Sequence, residues 1–134
     1  MEPHDRPDHQ VRTGGEPAGD DPPLRALAEL VAVAEQMAEV TALIREHAAQ
    51  IRACRREDLP YRDIVLRENR PLIVEVLTDA TARFEAAGTR FRQAKAAALR
   101  EEGMTLEEIG ALFGLTRQRI SRLLQDARDA AQET

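Results

Sequence analysis

Residues 101–124 read EEGMTLEEIGALFGLTRQRISRLL, and each residue class in this stretch falls where two helices joined by a tight turn would need it. Thr105 followed three positions later by Glu108 is a capping box, which places a helix start at Leu106. Leu106, Ile109, Leu112 and Phe113 make the apolar stripe of that first helix. Gly110 is small where a second helix must cross closely, and Gly114 stands where the chain has to turn with a positive φ. Leu115 plugs the corner, Thr116 caps the second helix, and Ile120, Leu123 and Leu124 turn its apolar side inward. What remains outward at the front of the second helix is Arg117, Gln118, Ser121 and Arg122, with Arg119 on its flank.

That outward set is chemically specific. Reading base edges in a major groove calls for Arg against guanine and Gln or Asn against adenine, near the leading end of a protruding helix. Arg117, Gln118, Ser121 and Arg122 are therefore the expected base-reading residues. Thr105 and Thr116 can hydrogen-bond phosphate, and Arg119, Lys95 and Arg100 can pair with it and set the salt dependence. The stretch EGMTLEEIGALFGLTRQRISRLL resembles the helix-turn-helix of bacterial transcription regulators, in particular the sigma-factor region-4-like type. The resemblance extends to residue 89 if the preceding helix is included, and the whole chain looks like small actinobacterial helix-turn-helix proteins. It implies DNA binding, with the helix 117–128 in the major groove. The departure is Gly110, where the family often has Ala, and the expected cost to the first helix is at most about 1 kcal/mol. The competing reading of the same hairpin is a module that packs against protein.

Upstream of the hairpin the chain also reads as helix. Pro22 and Pro23 suit a helix first turn, and Leu27, Leu30, Ala34, Met37, Thr41, Ile44, Ala48 and Ile51 recur at alternating spacings of three and four. This heptad seam predicts a long helix to about Arg56, ending before Leu59-Pro60, and longer than a lone small domain needs. Pairing of two copies through residues 24–53 follows as an expectation. A short helix is predicted over 61–68. A further helix over 71–87 should bury Leu72, Ile73, Val76, Leu77, Ala80 and Phe84, with Gly88 ending or bending it. Thr89 would then cap a separate helix over 90–101, with Phe91, Ala94, Ala98 and Leu99 inward and Gly103 closing it. No stretch sustains period-two alternation, so the fold class is all-α: a long helix, a small helical bundle and a C-terminal helix-turn-helix. The domains expected are an acidic disordered tail over 1–22, a dimerisation or partner-binding region over 23–88 and the DNA-binding domain over 89–134. Laying REDLPYRDIV (56–65) over EEGMTLEEIG (101–110) and, with two residues fewer in the turn, VEVLTDA (74–80) over SRLLQDA (121–127) suggests an internal duplication whose upstream copy has lost its turn glycine and cap; chance likeness of two amphipathic stretches accounts for it as well.

Composition narrows the remaining options. The chain has 134 residues, 43% apolar and 32% charged, with three Phe and one Tyr as the only aromatics, so a core must be built from aliphatic side chains. The net charge of −5 argues against nucleic acid only until its distribution is seen: residues 90–128 carry eight basic against five acidic groups. Lys95 is the single lysine, and the excess of Arg and Ala points to a high-GC bacterial genome. No apolar run is long enough to span a membrane and no secretory h-region opens the chain, so a cytoplasmic, nucleoid-associated protein is expected. Glu35 and Glu39 have helical metal-site spacing but lack a matching histidine, and three scattered histidines supply no zinc site or triad. Cys54, between Arg52, Arg55 and Arg56, has the surroundings of a redox-sensing thiol, though an inert helix cysteine is the plainer reading. Tyr61 is expected half-buried. No phosphate loop or nucleophile elbow is present, so no enzyme and no cofactor is expected. The partners expected are double-stranded DNA and a second copy; the alternative is an interaction module for a sigma factor, RNA polymerase or a mobile-element component.

Overall fold

A computed structural model describes residues 21–132, which form five helices and no strand among the described residues. The expected tail 1–22 therefore lies almost wholly outside the described residues, and its last residue, Pro22, already belongs to the first helix.

Helix α1 (Pro22–Arg56) begins where Asp21 accepts a hydrogen bond from the Leu24 amide at 3.3 Å, with both prolines in the first turn. It stops at Asp58, whose φ of 60° reverses the chain. The Leu59 amide then bonds back to the Cys54 carbonyl at 3.1 Å. Arg55 fastens the same turn by donating to the Leu59 carbonyl at 2.9 Å, and its guanidinium lies 4.8 Å over the Tyr61 ring. Tyr61 is thus not the half-buried residue expected; it is 61% exposed, roofed by a guanidinium instead of a core.

The short helix α2 (Tyr61–Arg67) buries Ile64. Between it and the next helix, the Glu68 carboxylate accepts from the Ile73 amide and stands 4.0 Å from His47 of α1. Helix α3 (Ile73–Glu101) follows without interruption to residue 101. The expected break at Gly88 does not occur, and Thr89 is an interior helical residue, not a cap. A single glycine costs a helix only about 1 kcal/mol, and the packing along both halves of α3 outweighs that. The expected boundary between residues 88 and 89 consequently falls inside one rigid element.

Helix α1 packs antiparallel along the first half of α3, an arrangement tied by the Arg90–Glu29 ion pair. The residues buried between them are small: Ala26, Ala80 and Ala87. The side of α1 that faces α3 differs from the expected heptad in one of its two rows. Leu30, Met37 and Ile51 are half-buried as expected, though Ile44 of that row is exposed; the second row is Ala26, Val33, Val40 and His47, with Leu27, Ala34, Thr41 and Ala48 left exposed. Each candidate second row is three apolar residues and one polar one, Thr41 or His47, so the choice belongs to α3. Two inward residues assigned to α3 are also reversed, since Leu77 and Phe84 are 40% and 47% exposed.

The proposed duplication holds for its first helix only. Tyr61 and Leu106 each open a helix, and Ile64 and Ile109 are both buried. The second helices are out of step: Ile73 is the first residue of α3, whereas its counterpart Ile120 is the fourth of its helix. Nor does α2 pack along α3 as the C-terminal pair packs together.

Candidate nucleic-acid interface

The C-terminal half of α3 carries the helix-turn-helix. Ala96 is fully buried, and its methyl group lets two further helices approach the α3 backbone closely. The link starts with Gly103 at φ 99°, after which the Met104 amide returns to the Leu99 carbonyl at 3.1 Å. Arg100 donates to the Met104 carbonyl at 2.9 Å, so this guanidinium is engaged in fixing the link.

Helix α4 (Leu106–Phe113) opens with the capping box foreseen from Thr105 and Glu108. The Thr105 hydroxyl accepts from the Glu108 amide and the Glu108 carboxylate accepts from the Thr105 amide, both at 3.1 Å. The Thr105 amide bond to the charged carboxylate, helped by the Thr105 side chain, holds the Glu108 pKa below its ordinary value of 4.5. Leu106, Ile109 and Phe113 face inward, but Leu112 is 66% exposed, contrary to expectation. With Leu106, Ile109 and Phe113 already defining the buried side at 100° per residue, residue 112 falls off its edge.

Gly114 ends α4 in the left-handed region at φ 67°, and the Leu115 amide bonds to the Gly110 carbonyl at 2.9 Å. A Cβ on Gly110 would lie 2.6 Å from the Leu115 carbonyl oxygen. Glycine here is therefore a requirement of the crossing and not the mild weakness expected from helix propensity. Helix α5 (Arg117–Gln132) starts where the Thr116 hydroxyl accepts from the Arg119 amide at 3.2 Å. Ile109 and Ile120 are the largest fully shielded side chains among the described residues, and with Ala96 and Leu124 they form the core of this unit.

The front of α5 faces solvent. Gln118, Ser121 and Arg122 are exposed and make no side-chain hydrogen bond or ion pair among the described residues. Arg117 is exposed too, but leans back on α4, with its guanidinium 3.3 Å from Glu107. Arg119 and Lys95 are exposed without an ion pair. The Thr105 and Thr116 hydroxyl oxygens each accept an amide bond, and that of Thr116 keeps its hydroxyl hydrogen to donate outward.

A groove of about 610 Å³ runs beside the front of α5, and α3 forms its other wall. Gln118, Arg119 and Arg122 line it from α5, and Thr89 and Arg92 from α3. Asp126 is the one acid in this lining against three arginines, of which Arg92 is also paired with Glu85 at 3.6 Å, so the groove carries a net positive charge. Arg92 is the residue that sequence reasoning missed. Residue 92 lies in the helix expected over 90–101, but which of that helix's residues stand beside α5 depends on how the two helices pack. Its hydrogen bond to Thr89 at 3.2 Å spans one helical turn, and that spacing was the available signal. The candidates set aside in the sequence stay apart: Glu35 and Glu39 are exposed, and no group of three His, Cys, Asp or Glu among the described residues could hold a metal ion. No described helix is long and apolar enough to cross a membrane.

Comparison with known proteins places this geometry. Residues 89–130 match the family model of sigma-70, region 4, a match that begins inside α3 and ends within α5. No curated protein and no solved structure matches the chain. Capped α4, left-handed glycine turn and buried Ile109–Ile120 core agree with that match, and residues 89–130 form a DNA-binding-type helix-turn-helix similar to sigma-70, region 4.

Proposed function

We propose that the protein is a sequence-specific transcriptional regulator of the bacterial cytoplasm that places α5 in the major groove. The observation that carries this reading is the bare front of α5: three polar side chains, Gln118, Ser121 and Arg122, held outward by a closed core and without a side-chain partner among the described residues. Gln118 and Arg122 read bases, Ser121 adds a short donor or acceptor, and Arg117 joins them when it leaves Glu107. Arg119, Lys95, Thr105 and Thr116 meet phosphates, and Arg100 contributes its remaining donors. Arg92 extends the phosphate track along the groove. One helix-turn-helix spans only a few base pairs, and pairing of two copies through residues 24–53 supplies the second half-site.

The test is selection of genomic fragments on the full chain, followed by titration of variants at two salt concentrations. Gln118→Ala and Arg122→Ala should each lose about 1–3 kcal/mol on the selected sequence and little on random DNA. Arg119→Ala should weaken both alike and flatten the salt slope. Equal loss on both DNAs for all three would remove the base-reading assignment. Failure to retain any DNA, alongside stable capture of a sigma factor or RNA polymerase, would favour the interaction module.

A further inference from the structure

The two sides of the α1–α3 hairpin differ in kind. One side is polar: Glu29 pairs with Arg90, Asp79 pairs with Arg83, and Gln36 and Glu39 share a groove with Asp79 and Arg83. On the other side, α1 presents Leu27, Val31, Ala34, Ala38, Thr41 and Ile44 at helical spacing. Because the helices are antiparallel, the matching flank of α3, with Val74, Leu77, Thr81 and Phe84, lies on that same side. Neither flank carries a charge at these positions, and Val31, Val74 and Phe84 are 49%, 60% and 47% exposed.

We propose that this face is the docking surface for a second copy of the chain, so that two hairpins stack into a four-helix bundle. The proposal deepens the pairing named above by moving half of the contact onto α3, and it stands or falls apart from base reading by α5. The area suffices: these side chains together present on the order of 800 Å², the share per partner of a standard stable interface. Residues 1–20 hold only Met1 and Val11 as large apolar side chains, too few to match this face in composition. A face without charge selects no charged partner. What it complements is a face like itself, where a two-fold axis sets Leu, Val and Phe of one copy over Ala and Thr of the other. Since α3 continues unbroken from this face to Ala96 beneath the helix-turn-helix, the bundle would also fix the separation of the two reading helices.

Sedimentation of the full chain at micromolar concentration tests this. Wild type should have twice the mass of the 14.9 kDa chain. Leu77→Glu with Phe84→Glu should weaken self-association by at least about 100-fold, since each charge would be buried unpaired in the bundle. Helical circular dichroism should be retained, because both positions are exposed in the single chain. Val31→Lys on α1 should act alike, while Gln36→Glu on the polar side should leave the dimer intact. A monomeric wild type, or a dimer that survives both apolar-face variants, overturns the proposal. Loss of DNA binding by a wild-type dimer that behaves as expected would remove base reading and leave the bundle standing.

Discussion

The helix-turn-helix unit and the α1–α3 hairpin are built from the same residue types to opposite effect. The first encloses two isoleucines completely within about thirty residues, with a cap at each helix start and a glycine at its turn. The second is longer, yet buries only alanines between its helices and leaves Leu27, Val31, Leu77 and Phe84 at the surface. A unit that closes its own core can present polar side chains outward for another purpose. A hairpin that leaves its largest apolar groups outside has only half of the packing its sequence provides for.

The comparison is broken hardest at the closed core. Ile109→Ala should cost about 2–5 kcal/mol in urea unfolding of this unit and abolish DNA retention, because the cavity it leaves is fully enclosed. A cost comparable to that of an exposed-site substitution would show that the core is not closed. Two glycines then sharpen the contrast with opposite signs. Gly110→Ala should destabilise by about 1–3 kcal/mol, since its methyl group meets the Leu115 carbonyl oxygen. Gly88→Ala in mid-α3 should instead stabilise by about 0.5–1 kcal/mol, because the nearest atom to its added Cβ is a guanidinium nitrogen of Arg92 at 3.6 Å. Thermal melts of the two variants side by side decide this, and a matching sign would contradict the crossing geometry or the continuity of α3.

The smallest effect concerns the α4 cap. Thr105→Ala should cost about 1 kcal/mol. The Glu108 pKa is lowered on folding, so its contribution is fully present above the ordinary value of 4.5 and is lost as pH falls through the lower folded value. The stability difference between wild type and Glu108→Gln should therefore hold steady from neutral pH to about 5 and shrink in stronger acid. A difference unchanged at pH 3 would mean that the carboxylate charge does not matter to the cap.

The helix-turn-helix was legible almost residue by residue, as Thr105, Glu108, Gly114, Thr116, Ile109 and Ile120 show. Leu112 was misread because an apolar residue at the edge of a stripe looks local evidence alike whether it faces in or out. The outward position of Gln118, Ser121 and Arg122 followed from placing Ile120, Leu123 and Leu124 inward, as helical period requires. Arg92 and the pairing of Arg117 with Glu107 were not legible, since each depends on how one helix lies against another.

By itself the sequence determined that the fold is all-α, where α4 and α5 start and which residues cap them, though not that α5 runs past residue 128 to Gln132. Those features rest on hydrogen bonds and backbone angles spanning three or four residues, and so are written in neighbouring letters. Only the tertiary structure decided that α3 runs through Gly88, which apolar rows of α1 meet it, and that Arg92 stands across a groove from Arg122. These are choices between arrangements of nearly equal local energy, and contacts between residues far apart in the chain select among them.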